Sequence, residues 1–124
     1  FGLDSWVESI DSENINNGLT VPSVFLRSGQ WEDGANNVNL LNLVEQSTNA
    51  TLYQIDGITH YDFTMVYMYS PFTKMIGFTG DVEGLYLNNI LKTMMSDFFY
   101  HNLINSFDSQ PDIENWEEVH QITD

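Results

Sequence analysis

An aspartate and a histidine carry the chemistry most readily read from this 124-residue chain. Asp4 follows Phe1-Gly2-Leu3, which reads as the end of a buried strand. His60 follows Leu52-Tyr53-Gln54-Ile55, a short strand that Asp56-Gly57 stops. Side chains just past the strands of an α/β sheet lie outside the carboxyl ends, where open sheets place their sites. A carboxylate that accepts the imidazole Nδ1–H fixes the tautomer and stabilises the imidazolium. The other ring nitrogen is then free to act as a general base. The plainer alternatives are that Asp4 caps a loop and that His60 is a surface histidine.

Acid before base is the chain order of α/β-hydrolase triads, which run serine, Asp or Glu, then His. No serine here lies in a Gly-x-Ser-x-Gly pattern. Ser28-Gly29 follows a strand-like run, but no glycine stands two residues before Ser28, and Ser28 comes after the acid. Acid and base alone cannot perform acyl transfer by this route. Phe1-Gly2-Leu3-Asp4 begins mid-pattern, with no Met and no leader. The expectation is therefore a fragment or processed chain, the alternative being a complete small domain with a frayed start.

The elements that must position the pair can be read in order. Residues 5–19 mix acids, asparagines and Gly18 and read as an irregular loop. Ser23-Val24-Phe25-Leu26-Arg27 is an apolar run between Pro22 and Ser28-Gly29 and reads as a buried strand. Residues 37–46 space Val38, Leu40, Leu41, Leu43 and Val44 by threes and fours, an amphipathic helix. With the strand at 51–55 this makes a βαβ unit, with parallel strands and a right-handed crossover. Residues 81–105 place Leu85, Leu87, Ile90, Leu91, Met94, Met95, Phe98, Phe99 and Leu103 at helical spacing. Asp81 and Glu83 at its start suit the helix dipole. Residues 106–124 read as an acidic tail with Ile113 and Trp116 as anchor points.

Composition excludes whole classes. The net charge is -15, with 18 acidic residues against Arg27, Lys74 and Lys92. Nucleic-acid binding needs clustered Lys and Arg, so it is set aside, as is electrostatic attraction to anionic membranes. There is no cysteine, which removes disulfides, thiolate catalysis and zinc-thiolate sites while leaving secreted and cytoplasmic locations both open. Asn49-Ala50-Thr51 is a glycosylation triplet of a kind that also arises by chance. His60 and Asp62 are two apart, and His101 and His120 are isolated. No set of three converging ligands is visible, so neither a metal nor a cofactor is expected.

Four ordered blocks resemble the platelet-activating-factor acetylhydrolases. They are Gly2-Leu3-Asp4-Ser5-Trp6, then Val21-Pro22-Ser23-Val24-Phe25-Leu26-Arg27-Ser28, then Gly57-Ile58-Thr59-His60-Tyr61-Asp62-Phe63, and Gly80-Asp81-Val82-Glu83. The likeness covers residues 1 to about 105 and is looser around Trp116. It implies the C-terminal portion of an α/β-hydrolase fold, a mostly parallel sheet with flanking helices. Residues 1–105 would belong to the domain and 106–124 would form the tail, with the nucleophile-bearing N-terminal part of the same domain missing. It implies calcium-independent hydrolysis of short sn-2 acyl esters of phospholipids, with Asp4 as triad acid and His60 as triad base. Trp6 would stand beside the acid, and Phe63 at the substrate.

The apolar stretch 63–78, broken by Pro71 and Gly77, is too short to span a bilayer. In the family picture it lines the acyl site or faces a lipid surface; otherwise it packs over the sheet edge. Two rival functions remain open at this point. One is another α/β-hydrolase, of polyester or dienelactone type, and the other is a non-catalytic acidic interaction module.

Overall fold

The computed structural model describes residues 1–64, 66–70, 72–104 and 111–123. The apolar-run residues Met65 and Pro71, the helix end at Asn105 and tail residues 106–110 and 124 lie outside the described residues. The strand, helix and strand expected near 23–27, 37–46 and 51–55 all form. Strand β2 is Ser23–Ser28, helix α2 is Ala35–Gln46 and strand β3 is Ala50–Ile55. Strand β1, Gly2–Leu3, lies on the other side of β2. β1, β2 and β3 are mutually parallel, with Leu3 opposite Leu26 and Leu26 opposite Tyr53.

Side-chain alternation along the strands decides the layers. Val24, Leu26, Tyr53 and Ile55 face one side and pack with α3, Gly84–Phe99. Phe25 and Leu52 face the other side, against Ile15 and against Leu40 and Leu43 of α2. Helices thus cover both faces, as a parallel sheet requires. α3 buries Leu87, Ile90, Leu91, Met94 and Phe98, each contributing about 1.5–3 kcal/mol relative to exposure. It starts later than the pattern implied, because the Glu83 carboxylate caps it by accepting from the Tyr86 N–H at 2.8 Å. Glu83 therefore helps through a direct cap as well as through the helix dipole. Past Phe99 the chain continues as a π-helical turn, Tyr100–Ile104.

Three expectations are corrected. Residues 5–19 are not wholly irregular, since Ser12–Asn17 forms a short helix, α1, that buries Ile15. The acidic tail, anchored at Ile113 and Trp116 as expected, also carries a strand that its sequence did not reveal. Strand β4, Val119–Ile122, pairs antiparallel with β3, and Trp116 and Val119 enter the core under α3. The run 63–78 does not pack over the sheet edge as a unit. Phe63 is half-buried against the α3 core, whereas Met68, Tyr69, Phe72, Met75, Ile76 and Phe78 are exposed. No helix among the described residues is long and apolar enough to cross a membrane.

Two glycines hold the loop carrying His60 against the loop before α3. A Cβ on Gly80 would sit 2.0 Å from the Gly57 carbonyl oxygen, so the two backbones touch only because Gly80 has none. Gly57 itself has φ +71°, the left-handed region. Its carbonyl accepts from the N–H groups of Asp81 and Val82 at 2.7 and 3.2 Å.

Candidate functional site

The sheet ladder positions Asp4. Its N–H donates to the Leu26 carbonyl at 2.7 Å, extending the β1–β2 pairing by one bond. The backbone then turns into the left-handed region, φ +42°, which aspartate tolerates better than most side chains. That turn points the carboxylate at the end of β2. Ser28 meets it there, N–H to Oδ1 at 2.6 Å and Oγ to Oδ2 at 2.7 Å. Ser28 is fully buried and the Asp4 side chain is out of solvent.

His60 arrives from the far side of β3. It opens a 3₁₀ turn, His60–Thr64, after the Asp56-Gly57 stop. Its Nδ1 lies 3.2 Å from Asp4 Oδ2, while 43% of its side chain stays exposed. A carboxylate oxygen offers only lone pairs, so the Nδ1–H faces it. Nε2 has no hydrogen-bond partner among the described residues, which leaves it able to take a proton. The structure therefore brings together Asp4 and His60, 56 residues apart in sequence.

Trp6, two residues past the acid, stands in a row with Trp31 and His60. Its ring packs edge-on against Trp31 at 5.5 Å, and Trp31 packs edge-on against His60 at 6.1 Å. Trp6 is half exposed, at the outer end of this aromatic row. Phe63 points the other way, into the core side.

Sequence reasoning missed the groups that hold the acid's surroundings. Asn36, buried near the start of α2, accepts from the N–H groups of Val7 and Glu8 at 2.7 and 3.1 Å. Its amide donates to the Ser5 carbonyl at 3.1 Å, pinning the segment that leaves Asp4. Arg27 is buried beside Ser28. Its Nε donates to Gln54 Oε1 at 2.7 Å, and its guanidinium also bonds Asn37. Gln54 in turn bonds Glu32 and Asp56. Burial pushes the Arg27 guanidinium below its usual value, and the charges of Glu32 and Asp4 pull it back up. Arg27 was visible as one of three cations in the chain, an arginine inside an apolar strand. Nothing local marked Asn36.

Chemically, the arrangement is an oriented imidazole backed by a buried carboxylate, at the carboxyl ends of parallel strands. The Ser28 hydroxyl is bonded to the acid, and no serine hydroxyl bonds His60 among the described residues. No family model and no curated protein matches this chain.

Proposed function

We propose that this chain supplies the acid and base of a serine esterase with an α/β-hydrolase fold, acting on short sn-2 acyl esters of phospholipids. The supporting observation is the 3.2 Å contact between His60 Nδ1 and a buried Asp4 whose two oxygens are already held by Ser28. The mixed four-stranded sheet with helices on both faces accords with part of such a domain. The substrate class rests on the four sequence blocks that resemble platelet-activating-factor acetylhydrolases.

In this reading the nucleophile is a serine outside these 124 residues, seated against His60 Nε2. His60 takes the hydroxyl proton as Ser Oγ bonds the acyl carbon, then gives it to the departing lysophospholipid oxygen. Water, deprotonated in turn by His60, then frees the acid and restores the serine. Asp4 holds the imidazolium throughout. The exposed side chains of Met68, Tyr69, Phe72, Met75, Ile76 and Phe78 extend the substrate side toward a lipid surface, with Trp6 at the rim.

Reading the gene upstream of Phe1 tests the proposal. A Gly-x-Ser-x-Gly elbow in frame is the expected result. A complete frame without an elbow, or a full-length protein whose serine does not react with a fluorophosphonate, would overturn it. Chain-length dependence of turnover separates this substrate class from polyester or dienelactone hydrolysis.

A further inference from the structure

A histidine paired with a carboxylate needs two things held, the carboxylate and the tilt of its own ring. Ser28 holds the carboxylate. The ring is less well accounted for. His60 is partly exposed and makes one side-chain bond among the described residues, the 3.2 Å contact to Asp4. An imidazole with a single bond and an open side can swing to another rotamer and face water.

Trp31 gives that ring a wall. It ends a 3₁₀ turn, Gly29–Trp31, that follows directly on β2. Its ring meets the imidazole edge-on at 6.1 Å, the planes 83° apart. That lies within the range of about 4.5–7 Å in which such pairs attract. Trp31 also lines one pocket with Asp4, Arg27 and Asn37. The end of β2 therefore reaches both partners, the acid through Ser28 and the imidazole through Trp31.

The indole N–H is buried and has no partner among the described residues. A buried donor left unpaired is unfavourable, so no bond of its own holds this ring. The turn beneath it is held instead. The Asn37 amide donates to the Glu32 carbonyl at 2.6 Å, and the Gln54 amide donates to the Glu32 carboxylate. Arg27 ties those two amides together, donating to Gln54 Oε1 at 2.7 Å and to Asn37 Oδ1. Arg27 is 6% exposed, and the esterase reading gives it no task.

We propose that Trp31 is a positioning residue that keeps the His60 ring turned with Nδ1 toward Asp4, and that Arg27 fixes Trp31 in place through Gln54, Asn37 and Glu32. Naming His60 a base rests on the esterase reading. The orientation of its ring does not, and the experiment reads orientation alone.

Nitrogen-15 NMR of the His60 ring in the whole 124-residue chain, at a pH where the imidazole is neutral, is the test. The parent should show Nδ1 protonated and Nε2 bare. Trp31→Ala removes the edge-on contact, and the ratio of the Nδ1–H to the Nε2–H tautomer should fall by about two- to tenfold. Trp31→Phe keeps a ring edge and drops the unpaired donor, so its ratio should stay near the parent's. Asn37→Ala leaves both rings intact but releases Glu32, and should lower the ratio in the same direction. It carries the test if Trp31→Ala fails to fold. A parent ring protonated on Nε2, or an unchanged ratio in folded Trp31→Ala or Asn37→Ala, would overturn the proposal. So would a Trp31→Phe ratio as low as the alanine variant's. Stability lost with the ring signals in place would mark Trp31 as structural filler and overturn it equally. An upstream frame without a nucleophile elbow would remove the esterase reading and leave these ring signals as expected.

Discussion

Ser28 gives both of its hydrogen-bond donors to the Asp4 carboxylate, one to each oxygen, at 2.6 and 2.7 Å. The bond joins the ends of two neighbouring parallel strands. It leaves Oδ2 shared between the Ser28 hydroxyl and His60. Charge-assisted bonds of this kind are the stronger ones, so Ser28 holds the acid independently of the imidazole.

Ser28→Ala should therefore destabilise the fold by about 1.5–3 kcal/mol, the worth of a hydrogen bond to a charged group. The site has no solvent to replace the lost donor. Chemical denaturation with an unchanged m-value reads this loss. A variant as stable as the parent would show that the Oγ bond contributes nothing net.

Asp4→Asn should spare the fold more than the chemistry. The amide oxygen can still accept from the Ser28 N–H, but an amide N–H₂ facing His60 favours the wrong imidazole tautomer. In the full-length enzyme that the esterase reading requires, turnover should fall by about 10⁴-fold. His60→Ala should remove it to a similar extent while leaving lipid binding. Retained turnover in either variant counts against the triad.

Asn36→Ala should loosen the segment after Asp4. It strands the N–H groups of Val7 and Glu8 and the Ser5 carbonyl, and Val7 is buried. A cost of about 1–3 kcal/mol is expected. Amide exchange of Val7 and Glu8 should accelerate in the variant more than that of α3, and uniform acceleration would mean a global effect instead.

Gly80→Ala drives a Cβ into the Gly57 carbonyl. The loop must retreat, losing the Gly80 bond to Asp62 and the bonds of Asp81 and Val82 to Gly57. The loss should exceed about 2 kcal/mol, read as a lowered melting temperature. Gly77→Ala is the control. Its Cβ meets nothing within 4 Å, and the strain there is confined to its φ of +77°.

The elements with a long, regular apolar period were legible. β2, β3, α2 and most of α3 follow from spacing, because burial on a fixed face imposes that spacing on the sequence. The short elements were not. α1 offers one buried apolar residue, Ile15, among Ser, Glu and Asn. β4 is an edge strand whose His120 and Gln121 hide its pairing, and its partner lies 64 residues earlier by register, Ile55 opposite Val119. The apolar run 63–78 misled in the other direction, since hydrophobicity implies burial only when a neighbour exists to cover it.

By itself the sequence determined the acidic, cysteine-free chemistry, the βαβ unit and the placement of Asp4 and His60 beyond strand ends. Each of these is a property of residue type or of local period. Tertiary structure alone decided that the carboxylate and the imidazole meet, that Ser28 serves the acid, and that Asn36 and Trp31 frame the pair. It also decided that Asp62 ties the His60 turn to the loop before α3. Those are contacts across β1, β2 and β3, and distances between strands are set by pairing and packing that no local stretch encodes.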